Sequence, residues 1–448
     1  MGKRRKKRQV ARLAVQTFFF GIIVMVLLMH YAFVEHTPTF PPQPKSYDVI
    51  VVGQGLAADL AAITAADKGA LVLYLQMSEP EADTSSVYLP VFWAADSSYQ
   101  RIAGIEYLPE TMANEIYRQG EFFGSYPQIL ALSLASAESL RSLTTLTGQQ
   151  FIQLDPDNPG LHWGEEDAVK EIALRLAEKL ETRDLIEKAN MQPQSLLTEK
   201  GQVVGLVAIG PDGHEEKIYS RAVILADGGF GSNLELLRKY SGIEGVMKRP
   251  EAGHLGRGLQ LAQEIGARTV ALDLVHLEVL AVGTGKLFTL PQSLVAEAYI
   301  FAADGRRLEL QEGESFTDLL QQNGGKAFLV FTGEQPALVP FKPTVVKDQE
   351  FLAFALKTSP SVLKEQLAEL PPPYQLLSVG LVALTPGGLA VNENYQVMAA
   401  VEPITGLYAC GELTGGLHGR AAICQLFFTE TIVSSLLAGE NAAHYALR

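Results

Sequence analysis

Residues 48–76, DVIVVGQGLAADLAAITAADKGALVLYLQ, leave few folds open to the chain. Residues 48–52 are a short β-branched run. Gly53, Gly55 and Ala58 then give G-x-G-x-x-A where a helical pattern begins, and residues 70–75 are a second apolar run. Strand, tight turn, helix and strand in this order predict a right-handed parallel crossover. Each small residue has a physical reason for its place. Gly53 allows the turn, Gly55 lets backbone approach a pyrophosphate, and Ala58 lets the helix pack closely on the sheet. The first N–H groups of the helix, at Leu56, Ala57 and Ala58, have no partner within it and lie at its positive end, which suits a phosphate. The second strand of such a unit ordinarily ends in an acidic residue that accepts from a ribose hydroxyl. Here it ends in Gln76, whose carbonyl oxygen can still accept.

The N-terminus constrains location. Residues 1–12, MGKRRKKRQVAR, are densely basic, and residues 13–33 contain no Asp, Glu, Lys or Arg. As a helix, that apolar stretch would span a hydrocarbon core of about 30 Å. It is too long for the core of a signal peptide, and no A-x-A cleavage pattern follows. The expectation is an uncleaved single-pass signal anchor over 13–34, a cytoplasmic tail over 1–12 and an extracytoplasmic globular part, with a cleaved signal as the alternative. The tail suits anionic lipid headgroups. Residues 35–45, EHTPTFPPQPK, hold four prolines and read as an extended linker.

Beyond residue 46 the chain carries 28 Lys+Arg against 49 Asp+Glu, an acidic body that gives no support to nucleic-acid binding. The roughly 400 residues after the linker exceed one ordinary core and predict two lobes. Cys410 and Cys424 form no C-x-x-C pair and are expected as free thiols, and the eight scattered histidines suggest no metal site. Residues 109–148 have helical periodicity. From 194 the period becomes that of a β-meander, returning through 222–226 to a turn at Asp227-Gly228-Gly229-Phe230. The carboxyl end of a core strand, Ala226 and its turn, is where ligands sit in open α/β sheets.

Four segments then carry a resemblance to the flavoprotein family of fumarate reductases and succinate dehydrogenases: the turn at Gly53, AVILADGGFGSN (222–233), AGHLGRGLQLAQEIGA (252–267) and GLYACGELTGGLHG (406–419). The fourth is the most specific, because the family places a Gly-Glu, here Gly411-Glu412, against the flavin ribityl chain. The resemblance implies an α/β architecture: a Rossmann-like FAD-binding lobe over 46–240 and 355–448, with an inserted α+β capping lobe over 241–354 that closes over substrate. It implies FAD held by Gly53, Gly55, Leu56, Ala57, Ala58, Gln76, Ala226, Asp227, Gly228, Gly411 and Glu412. The binding would be non-covalent, since residues 85–98 lack the attachment histidine of the membrane-complex members.

The family's catalytic residues do not carry over. No Arg, Lys or His lies in 308–325, where the family has its proton-donating arginine. Its cap histidine aligns with Leu280, its H-H-T with Ala383-Leu384-Thr385, and its H-G-x-N-R-L-G-G-N with residues 418–426, where Cys424 and Gln425 replace two flavin-facing glycines. His418, Arg420 and Arg257 are the remaining candidates for contact with a ligand, and His276 lies near the cap motif. Two readings follow. One is a membrane-anchored FAD-dependent oxidoreductase acting on a substrate other than fumarate, exchanging electrons with a membrane carrier or partner protein. The other is a catalytically inactive subunit with a structural or interaction role.

Overall fold

The computed structural model describes residues 46–78, 88–155, 157–165, 167–249, 253–283, 286–289, 295–332, 344–367 and 372–448. The basic tail, the expected anchor over 13–34 and the linker lie outside them. Among the described residues no helix is long and apolar enough to cross a membrane.

The first strand, β1 (Ser46–Gly53), is followed by α1 (Leu56–Asp67) and β2 (Val72–Leu75), with β1 and β2 parallel. Both faces of β1 are covered, so its core stretch is uniformly apolar rather than alternating, and residues 49–52 are buried. An eight-stranded sheet grows around it. Its path runs Gln396–Met398, Pro403–Ala409, Glu215–Ala226, β1, β2, Leu185–Lys188, and the hairpin of Gln192–Glu199 and Gln202–Ile209 joins on Glu215–Ala226. The register sets Val52 beside Leu75 and Gly53 beside Ala226. The carboxyl ends of parallel strands therefore open along one edge, bringing Gly53, Gln76, Asp227 and Gly411 to the same side of the molecule. Because β1 has a strand on each side reached by connections in opposite directions, this edge is a switch point, the crevice where such sheets bind ligands.

Small residues make α1 a spacer of minimal thickness. Ala58, Ala61, Ala62 and Ala65 are fully buried, and the helix lies against the C-terminal helix Phe427–Ala446. Gly439 of that helix faces the Ala61 carbonyl with no room for a side chain.

The second sheet has seven strands and is antiparallel throughout. Its path runs Lys286–Thr289, His276–Gly283, Tyr374–Leu384, Lys326–Thr332, Tyr299–Ala302, Arg307–Leu308, with Thr344–Val346 also on Tyr374–Leu384. Its central strand, Tyr374–Leu384, lies beyond the 241–354 span expected for the capping lobe. Pairing with both His276–Gly283 and Lys326–Thr332 ties it to that sheet. The helical stretch expected over 109–148 is two helices, Pro109–Gln119 and Tyr126–Thr147, the second ending at Gly148 in the left-handed conformation.

Candidate functional site

The dinucleotide turn is built as its small residues require. Gly53 has φ 143°, and a side chain there would collide with the Ala226 carbonyl of the neighbouring strand. Gly55, at φ 84°, precedes α1, and no side chain caps that helix. The N–H groups of Leu56, Ala57 and Ala58 are thus left for a ligand at the edge of the sheet.

Facing this turn, Asp227 is buried directly after its strand. Its Oδ2 accepts from the Gly258 N–H at 2.8 Å, and burial pushes the carboxyl up to about 6 against that hydrogen bond. Among the described residues its Oδ1 meets no hydrogen-bond partner, nor does Gln54 Nε2, whereas His254 Nδ1 faces Glu412 Oε2 at 3.4 Å. Asp227, Gln54 and His254 wall one small space together with Gly55, Gly228 and Glu412. Unpaired buried polar atoms are costly, and two of them on residues that wall one space fit a polar ligand there. The space itself is about 30 Å³, room for about one water, so a dinucleotide enters only as its walls part.

Glu412 is where the site departs from the resemblance. Its Oε2 accepts from Arg249 Nη1 at 2.6 Å, and its Oε1 accepts from Thr385 N at 2.9 Å and Thr385 Oγ1 at 3.1 Å. The ion pair is sealed from solvent, with side chains 0% and 2% exposed. Burial alone would raise the Glu412 carboxyl. Arg249 and the Thr385 hydrogen bonds outweigh it and hold the group below its ordinary range. His254 stands 3.4 Å from the same oxygen, and burial first, then Arg249, drives it down to about 3, so it is neutral at physiological pH. The residues present therefore fit FAD at the dinucleotide turn and at Asp227. At Glu412 the protein already supplies the donors, where the resemblance places the flavin ribityl chain.

Gly55, Leu56, Ala57, Ala226, Asp227, Gly228 and Glu412 all wall this space. Gly53 and Ala58 lie beneath it in the packing of strand and helix. Gly411 is held by its N–H donating to Ser434 Oγ at 2.9 Å. Gln76 is buried directly after β2, two residues from Tyr74, whose hydroxyl donates to Asp59 Oδ1 at 2.5 Å.

The three candidate catalytic residues lie elsewhere. His418 is fully buried: Nδ1 accepts from the Ile423 N–H, and Nε2 lies 2.9 Å from Glu430 Oε2, which fixes the 418–423 turn. Arg420 is exposed, its guanidinium 3.3 Å from the Phe123 ring centre. Arg257 donates to the carbonyls of Pro193 and Gln194. Sequence reasoning missed Arg249 and His254: Arg249 lies three residues before the third family segment and His254 is its third residue, and neither position carries a motif of its own.

A second feature is a cavity of about 980 Å³ beside the seven-stranded sheet, walled in part by His276, Glu278, Tyr299, Arg307, Glu309 and Phe316. His276 Nε2 is 3.1 Å from Glu278 Oε2 and 3.4 Å from Cys424 Sγ. Cys424 opens the short 3-10 turn Cys424–Leu426 that leads into the C-terminal helix, and neither cysteine is in a disulfide. Arg307 is committed to its own lobe. It donates to the Gln366 carbonyl at 3.0 Å, lies 3.8 Å from Glu309 and stands over the Tyr299 ring at 5.1 Å. Leu280 and Leu384, where the resembled family has histidines, pack together in one apolar cluster with Val382 and Phe427.

Comparison with known proteins agrees with this geometry. Residues 48–427 match the family described as FAD binding domain. The chain is 24% identical to the NADH:fumarate oxidoreductase of Klebsiella pneumoniae over 90% of its own length and 48% of that protein's, so it spans about half of that relative. It is 26% identical to the urocanate reductase of Eggerthella lenta, over 89% of this chain and 75% of the relative. The open form of a flavocytochrome c3 fumarate reductase superposes with a TM-score of 0.75 at 21% identity, over 93% of this chain and 80% of that one. The chain thus belongs to the FAD-binding family that contains the fumarate reductase flavoproteins, and FAD is its cofactor.

Proposed function

We propose that the protein is a membrane-anchored FAD-dependent oxidoreductase whose substrate is neither fumarate nor another simple dicarboxylate. The observation that carries this reading is the state of the cavity's cations. A dicarboxylate needs cationic groups free to clamp both ends, whereas Arg307 is held by Gln366, Glu309 and Tyr299, which leaves one open nitrogen of His276 as the cation for a single end. The concerted change of two positions to Leu280 and Leu384 supports the same conclusion.

When bound, FAD supplies or accepts hydride, and the chain's own groups bind and orient it. The N–H groups at the start of α1 would take the pyrophosphate, and Asp227 Oδ1 would accept from a cofactor hydroxyl or amide. The Arg249–Glu412 pair would set the local charge while leaving fewer acceptors for the ribityl chain. The N-terminal segment would hold the enzyme to the membrane through lipid, near an electron carrier or partner protein. Among relatives, a urocanate reductase shows that the family extends to a substrate other than fumarate.

The test is anaerobic reduction and reoxidation of the purified flavoprotein with a panel of alkenes. Turnover of urocanate or a neutral enone with none of fumarate supports the reading, and fumarate as the fastest oxidant sinks it. The second reading, a catalytically inactive subunit, is favoured by the missing clamp and by the saturation of Glu412. A flavoprotein that no alkene reoxidises above the buffer rate would support it.

A further inference from the structure

The chamber beside the seven-stranded sheet holds one imidazole whose two nitrogens are in different situations. His276 starts the strand His276–Gly283, opposite Leu384 of the central strand. Its Nε2 is shared by Glu278 Oε2 at 3.1 Å and Cys424 Sγ at 3.4 Å. A carboxylate has no hydrogen to give, so Nε2 carries the hydrogen and the sulfur accepts alongside the carboxylate. Nδ1 meets no hydrogen-bond partner among the described residues. The ring is therefore oriented through one nitrogen and open at the other. This is the arrangement in which a histidine exchanges a proton while its tautomer stays fixed.

We propose that His276 is the proton-transferring residue of this chamber, through Nδ1, with Glu278 and Cys424 as positioning residues that hold Nε2–H. The proposal rests on the oxidoreductase reading and names the substrate class as an electron-poor alkene, one conjugated to a carbonyl group. The hydride, and with it both electrons, would come from reduced FAD when it is bound. The C=C π bond breaks, one carbon gains the hydride, and the neighbouring carbon keeps the electron pair. That carbon takes the proton from Nδ1, and His276 is left as the neutral Nε2–H tautomer. Its side chain is 26% exposed, so solvent can return the proton.

Among the described residues, no other cation near the chamber fills this role as well. Arg307 is engaged on three sides, and residues 308–325 contain no Arg, Lys or His. The charged groups facing His276 favour the imidazolium. The Cys424 contact first and Glu278 second raise it to about 9 against burial, and the other charges lining the chamber among the described residues are Arg307, Glu309 and Glu314.

Two readouts test the assignment on the full-length holoprotein in detergent. The first is histidine-selective 15N NMR, with His276→Gln identifying the signal. The expected result is a midpoint near 9 with the Nε2–H tautomer above it, and a fall of roughly one unit or more in Glu278→Gln at unchanged FAD content. A midpoint at or below 7, or an Nδ1–H tautomer, overturns the proposal. The second is anaerobic reoxidation of the photoreduced flavin by urocanate, acrylate, 2-cyclohexenone and fumarate. His276→Gln should slow the fastest of these by about a hundredfold with FAD content intact, and an unchanged rate overturns the proposal. If no probe reoxidises the wild-type flavin, the oxidoreductase reading is what fails, and the NMR result alone keeps or overturns the placement of the proton.

Discussion

At the scale of single residues, the site is dominated by one buried ion pair. Removing one partner of such a pair leaves an uncompensated charge in the interior, at a cost of about 3–5 kcal/mol. Arg249→Met should therefore lower unfolding stability by about that much in urea titrations. Adding Glu412→Gln to it should recover part of the loss, and a double-mutant cycle measures how much. A second buried group gives a pH signature. Burial pushes the Asp59 carboxyl up to about 7, although its hydrogen bond from Tyr74 pulls the other way. The folded chain thus keeps a proton that the unfolded chain releases near 3.8. The contribution is fully present below that lower value, is lost as pH rises to about 7, and is flat above, on the order of 4 kcal/mol in all. Asp59→Asn, which can still accept from Tyr74, should remove this slope and be more stable than the parent at pH 8. A parent whose stability does not fall between pH 4 and 7 would contradict the account. Glu412 and Asp227 were legible in the sequence because their neighbours in the chain carry the motif. The partners of Glu412 were not, since Arg249 is 163 residues away and Thr385 is 27.

At the scale of elements, the turn before α1 is local physics. Two glycines at positive φ, a helix start without a capping side chain and an alanine-rich buried face all follow from residues 48–67. Gly55→Val should abolish FAD retention while leaving far-UV circular dichroism unchanged. Gly53→Val should also disturb folding, because its side chain would meet the Ala226 backbone rather than open space. The strand Tyr374–Leu384 shows where such reading stops. An apolar run declares a strand, but its place in a sheet depends on the partners it meets. Those partners are residues 276–282 and 326–332. His418 is a similar case. Its position beside Gly411-Glu412 suggested a ligand contact, whereas the bond to Glu430, one turn into the C-terminal helix, makes it a buried brace. The contact between His276 and Cys424 joins residues 148 apart and had no local sign at all.

At the scale of the whole molecule, residues 46–448 form a compact unit of their own. A chain begun at Ser46 should fold and stay soluble, while the full-length protein should remain with membranes after alkaline carbonate washing. Release by that wash would remove the anchor from the proposal. The acidic balance of this unit disfavours contact with anionic lipid over its own surface, which is why the proposal gives that role to the N-terminal segment. The central claim, a FAD enzyme whose turn and Asp227 still hold the cofactor around an altered Glu412, is tested most directly by one spectrum. Purified protein starting at Ser46 is scanned in the visible range, then heated to release and quantify its flavin. The account predicts a yellow protein with near-stoichiometric FAD, all of it released by heat. A folded, colourless protein that takes up no added FAD would contradict it.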